Sequence, residues 1–189
     1  MVFSYNWLQS FFKKKLPKPE KLAELLTMHS FEVEEVKKIG KDYILDIDVL
    51  PNRAPDCLCH LGVAREIGAI SGGKLLPLER EKLRLEKEKK LSPIEIKIKC
   101  PLLVPRYSAI VIEGIEVLSS PAWLRERLEA VGARSVNNIV DLTNFVMFEI
   151  GQPLHAFDYD KILGRKMILR KSKTGEKVIT LDDMERVLN

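Results

Sequence analysis

NNIVDLTNFVMFEIGQPLHAFD, residues 137–158, carries the most informative pattern in the chain. Positions 138–150 are apolar almost all round a helical wheel, through Ile139, Val140, Leu142, Phe145, Val146, Met147, Phe148 and Ile150. Such a helix is expected to be buried. Asn137, Asp141 and Asn144 recur at four- and three-residue steps, so they share one face, with Thr143 beside it. A buried polar group without a partner costs roughly 1–3 kcal/mol. These side chains therefore either bond to neighbouring backbone or line a wet pocket. Gly151-Gln152-Pro153 breaks the helix, and His155 follows on a loop. An imidazole there can hydrogen-bond a substrate, move a proton near neutral pH, or serve structure alone.

Outward from this stretch, Pro121 opens a helix that carries Trp123, Leu124, Leu128 and Val131 and stops at Gly132. Strands are expected at 94–99 and 107–117, and again at 167–171 and 177–181, the last two joined through 173–175. Toward the N-terminus, Ser4 caps a short amphipathic helix at 5–12. Lys13–Lys15 then meet Pro17 and Pro19, and a second helix follows at 18–28. Strands at 32–39 and 43–50 form a hairpin through the turn chemistry of Gly40-Lys41-Asp42. A helix at 58–70 ends at Gly72-Gly73. Residues 79–90, dense in both charge signs, read as a linker or a solvated helix.

The 189 residues suffice for one medium domain or two small ones. A chain of that size buries roughly 70% of its unfolded surface and needs no disulfide or metal for a core. With 46% hydrophobic and 31% charged residues, general disorder is excluded. No apolar run approaches the length of about 18 residues that spans a membrane. The first fifteen residues lack the charge order of a secretory signal. The balance of 31 Lys+Arg against 27 Asp+Glu gives +4, which permits an RNA partner without requiring one. Three cysteines, with no second pair at zinc spacing, argue for a reducing cytoplasm and against a structural metal. There is no phosphate-binding glycine loop, and Ser135, His29 and His60 have no context that suggests chemistry.

The 137–158 string closely resembles the signature of the β subunit of bacterial phenylalanyl-tRNA synthetase, in the domain that holds its editing site. PAWLRERLEAVGARS from Pro121 resembles the same family, as do SYNWLQSFF from Ser4, LLTMHSFEVEEV from Leu25 and PNRAPDCLCHLGVAREIGAISGGKL from Pro51. These stretches stand in the family's order and cover most of the chain. Two departures are evident. The hairpin follows FEVEEV directly, without the OB-fold tRNA-binding insertion of typical members. CPLLVPRY at 100–107 is longer than the family's CPRY.

The resemblance implies an α+β chain. A small helix–hairpin–helix domain at 1–76 would be followed by a charged linker at 77–93 and part of a mixed α/β editing domain at 94–189. It implies a β subunit, present here as an N-terminal part, of the ligase that charges tRNA(Phe) with phenylalanine using ATP and magnesium. This chain would hold neither cofactor nor metal. An α subunit would complete a cytoplasmic heterotetramer with no membrane contact, and mischarged Tyr-tRNA(Phe) would be hydrolysed on the β subunit. Matched residue by residue, the editing pocket falls on Thr143, Asn144 and His155, with Asp141 structural and further pocket residues beyond Asn189. The alternative is a non-catalytic tRNA-binding or subunit-assembly module with no activity in isolation.

Overall fold

The computed structural model describes residues 1–77, 94–180 and 183–188. The chain parts into two compact units, one of Met1–Lys82 with Glu116–Ala156, the other of Leu83–Ile115 with Phe157–Asn189.

The first unit is built on a three-stranded antiparallel sheet of order β1-β3-β2, from β1 (Val2–Ser4), β2 (Val33–Ile39) and β3 (Asp42–Ile47). β3 is central because its apolar residues are needed on the inside: Ile44, Leu45 and Ile47 are buried. Its register runs Phe3↔Leu45 on one side and Val36↔Leu45 on the other, with a bulge between Val33 and Glu35. Ser4 ends β1 and caps α1 (Tyr5–Gln9), its Oγ accepting from the Trp7 N–H at 3.0 Å. Pro19 starts α2 (Pro19–His29), whose Leu22, Ala23 and Leu26 face the core at helical spacing. A short α3 (Ala54–Cys57) leads into α4 (His60–Ser71), which ends at Gly72 with φ +69°, the left-handed conformation that favours glycine. α5 (Ala122–Ala130) adds Leu124 and Leu128 to the buried set, and α6 (Asn138–Ile150) packs against α4 and α5.

The second unit holds β4 (Glu95–Ile98) paired in parallel with β5 (Lys166–Leu169), and β6 (Lys177–Ile179) paired antiparallel with β7 (Glu185–Val187). Ile96, Ile98, Met167 and Leu169 are half-buried on the first pair. Every fully buried hydrophobic residue described lies in the first unit.

The α+β class holds, and the structure corrects several details. Residues 94–189 do not form one compact body, because α5 and α6 bury their apolar faces with the N-terminal helices and sheet. The expected linker at 77–93 lies, but for residue 77, outside the described residues. Residues 107–117 form no strand. Their Ile110, Ile112, Ile115 and Val117 are exposed, so the Ile and Val content that suggests a strand is not buried against a neighbour among the described residues. The strands near 167–171 and 177–181 do not pair with one another; each takes a different partner. The first helix is one turn long because Ser10 already turns its N–H to the Asn6 and Trp7 carbonyls in a closing cap. β1, α3 and β7 are too short to leave a periodic signal.

Candidate functional site on α6 and the loop that follows it

α6 is not buried all round. Asp141 is its fully buried residue, while Val140, Leu142 and Ile150 are exposed, so an apolar composition proves compatible with a helix covered on one side. Asn137 is committed to structure: it caps the helix, its side-chain oxygen accepting from the Ile139 and Val140 N–H groups at 3.0 and 2.9 Å.

Asp141 is likewise committed. Its carboxylate accepts from the Ser120 and Ser135 hydroxyls, both at 2.5 Å, and from the Val136 N–H at 2.9 Å. Burial pushes this carboxyl up, but those hydrogen bonds outweigh it and hold the group below the ordinary Asp range. Of the polar face seen in the sequence, two members thus bond internally.

Thr143 and Asn144 are half-buried neighbours on the next turn. The Thr143 hydroxyl donates to the Val140 carbonyl at 2.7 Å, which fixes its rotamer. The Asn144 amide makes no hydrogen bond among the described residues. α6 stops at Gly151, with φ +79° and its N–H donating to the Met147 carbonyl. That left-handed turn redirects the chain, and His155 lies exposed on the loop beyond it. The structure therefore places Thr143 and Asn144 side by side. A groove of about 240 Å³ in the first unit is lined by Val2, Glu35, Lys37, Ile39, Ile44 and Asp46 from the sheet and by Glu129, Ala130 and Gly132.

The residue that sequence reasoning missed is His60. It is fully buried, its ring stacked on Trp7 with centroids 4.0 Å apart and edge-on to Phe3 at 5.2 Å. Nε2 accepts from the Ser4 N–H at 3.2 Å, which leaves the proton on Nδ1, 2.9 Å from the Phe148 carbonyl of α6. Burial pushes its pKa down to about 4. A signal was present: His60, Val63, Ala64 and Ile67 follow helical spacing, and all four are buried.

Trp7 continues the stack onto Phe145 of α6 (4.9 Å, 8°), and Phe145 meets Trp123 of α5 edge-on at 5.4 Å. The Arg127 guanidinium lies over the Trp7 and Phe145 rings at 5.4 and 5.8 Å. Trp7 Nε1 is buried without a partner in hydrogen-bond geometry among the described residues. Burial raises the Glu149 carboxyl, and the nearby Trp7 indole and Arg127 oppose that rise. This column of rings holds α6 in place.

Among the described residues, no cluster of three His, Cys, Asp or Glu side chains is arranged to hold a metal. No helix described is long and apolar enough to cross a membrane.

A family model described as the B3/4 domain matches residues 103–189. The chain is 46% identical to the phenylalanine–tRNA ligase β subunit of Carboxydothermus hydrogenoformans over 157 residues, 83% of this chain and 19% of that protein. It is 46% identical over 174 residues to the protein of that description from Syntrophus aciditrophicus, covering 92% of this chain and 20% of that one. The counterpart from Bdellovibrio bacteriovorus is 47% identical over 148 residues, 78% of this chain and 18% of its own length. The chain spans about a fifth of the length of the curated relatives it matches.

Proposed function

Because this chain belongs, over the residues it shares with them, to the family of phenylalanine–tRNA ligase β subunits, we propose that it works within such a ligase. In that setting an α subunit charges tRNA(Phe) with phenylalanine, drawing on ATP and magnesium to which no residue here is assigned. The assembly is a cytoplasmic heterotetramer. Residues 137–158 contribute one wall of the site that hydrolyses mischarged Tyr-tRNA(Phe). The observation that carries the reading is the extent of the likeness, 46% identity across 92% of this chain.

The physical need for a second site is plain. An apolar pocket shaped for phenylalanine rejects an isostere with one added hydroxyl by only about a hundredfold. Thr143 and Asn144 orient the ester and the terminal adenosine. The Asn144 amide suits such a role, since it makes no side-chain hydrogen bond among the described residues. His155, exposed on the loop past Gly151, hydrogen-bonds the substrate or the attacking water. No covalent nucleophile is assigned: a water positioned against the ester, helped by the ribose hydroxyl, suffices.

The test uses a ligase assembled from α subunit and a β subunit carrying this sequence. Asn144→Ala combined with His155→Ala is expected to slow Tyr-tRNA(Phe) deacylation by about tenfold or more while aminoacylation persists. Unchanged deacylation removes the site assignment. A wild-type assembly that neither charges nor deacylates removes the function.

A further inference from the structure

The loop after α1 reads KKKLPK, residues 13–18, and Lys13, Lys14, Lys15 and Lys18 are all exposed. A lysine run is ordinarily a solvated tether. This one is clamped. Gln9 Nε2 donates to the Phe12 and Lys14 carbonyls at 3.2 and 3.1 Å, and Gln9 Oε1 accepts from the Leu16 N–H at 2.7 Å. The Tyr5 hydroxyl reaches the Leu16 and Pro17 carbonyls at 3.2 and 2.9 Å. Phe12 and Leu16 are buried beneath, so the backbone is held from both ends.

A second strand adds to the charge. Phe12 and Leu75 form an antiparallel bridge, and the Leu76 N–H donates to the Phe11 carbonyl at 2.8 Å. The adjoining positions on the two strands are Lys13 and Lys74, and Lys74 is exposed. Like charges on facing strand positions destabilise a fold. None of these five lysines has a carboxylate within salt-bridge distance among the described residues. Among the described residues the charge is thus concentrated and without a carboxylate partner, on a backbone already held in place. A polyanion docking there releases counterions without paying to order the loop.

We propose that this clamped lysine surface binds the phosphate backbone of a structured RNA, which, resting on the function proposed above, is tRNA. RNA is favoured over an anionic membrane because interfacial membrane binding pairs basic residues with exposed apolar ones. Here the loop's own Phe11, Phe12 and Leu16 are buried, and among the described residues of the bridged strand Leu76 is the exposed apolar one.

The experiment measures binding of a tRNA(Phe) transcript to the 189-residue chain by fluorescence anisotropy across a salt series. Lys13→Gln/Lys14→Gln/Lys15→Gln is compared with a charge-matched triple on the hairpin, Lys37→Gln/Lys38→Gln/Lys41→Gln, and with Lys74→Glu alone. Each phosphate contact contributes about 0.7–0.9 to the slope of log affinity against log salt. The loop triple is expected to lower that slope by about 2 and weaken low-salt binding about tenfold or more. Lys74→Glu weakens binding in the same direction, and the hairpin triple changes it little. Wild-type affinity in the loop triple overturns the proposal. So do equal losses in both triples, absence of tRNA binding by the wild type, or lysine-dependent binding to phosphatidylserine vesicles in place of tRNA. Deacylation by the assembled ligase separates the two readings. Lysine-dependent binding with no editing removes the editing site alone, and editing without lysine-dependent binding removes this surface alone.

Discussion

The Nδ1–H of His60 on α4 donates to the backbone carbonyl of Phe148 on α6 across 2.9 Å. The donor direction follows from the other side of the ring, where Nε2 accepts from the Ser4 N–H. One neutral imidazole therefore ties three elements together: the β1–α1 junction, α4, and the helix that carries Thr143 and Asn144.

That tie makes stability depend on pH. His60 is pushed down to about 4 by burial, with a smaller push from Arg127, while an unfolded histidine titrates near 6.5. Between those values the unfolded chain binds the extra proton, so stability falls as pH drops from about 6.5 to about 4 and levels below. The loss amounts to roughly 3 kcal/mol. Urea denaturation at stepped pH is expected to show the decline in the wild type and a flatter profile in His60→Gln. Parallel profiles would remove His60 as the cause.

Asp141 anchors the start of the same helix. Asp141→Ala leaves the Ser120 and Ser135 hydroxyls and the Val136 N–H without their acceptor. A loss of about 3 kcal/mol is expected, since hydrogen bonds to a buried charged acceptor are strong. Asn137→Ala removes only the cap and is expected to cost about 1 kcal/mol. Chemical denaturation of the two variants checks the order, and an Asn137 effect larger than that of Asp141 contradicts it.

Gly62 and Gly40 are expected to respond differently to alanine. A Cβ on Gly62 would stand 1.8 Å from the Asp56 carbonyl oxygen, a backbone atom that cannot swing away. Gly62→Ala is expected to destabilise by about 3 kcal/mol or more through overpacking. At Gly40 a Cβ meets open space, so the change is limited to its φ of +58°, about 1 kcal/mol. Thermal unfolding compares them directly.

Thr143 allows structure and chemistry to be separated. Among the described residues its hydroxyl bonds only to the Val140 carbonyl in its own helix, a local interaction of little net worth. Thr143→Val is expected to keep stability within about 1 kcal/mol of wild type. Deacylation of Tyr-tRNA(Phe) by the assembled ligase is expected to fall several-fold in that variant. Full deacylation with an intact fold would place Thr143 outside the site.

Local patterns and tertiary facts divide cleanly in this chain. α2, β2, β3, α4, β4, α5 and α6 were legible because each carries its own period, cap or stop: Pro19 and Pro121 at helix starts, Gly72 and Gly151 at ends. The adjacency of Thr143 and Asn144 is likewise a property of one helix. What could not be read locally was everything that depends on a partner distant in sequence. Residues 107–117 are rich in Ile and Val like a strand but form none, with Ile110, Ile112, Ile115 and Val117 exposed, and α6 is apolar all round yet covered on one side. His60 looked inert because its stack on Trp7 and its bond to Phe148 span 53 and 88 positions. The reason is physical: periodicity reports which way a side chain points, and only the packed chain decides what stands there to receive it.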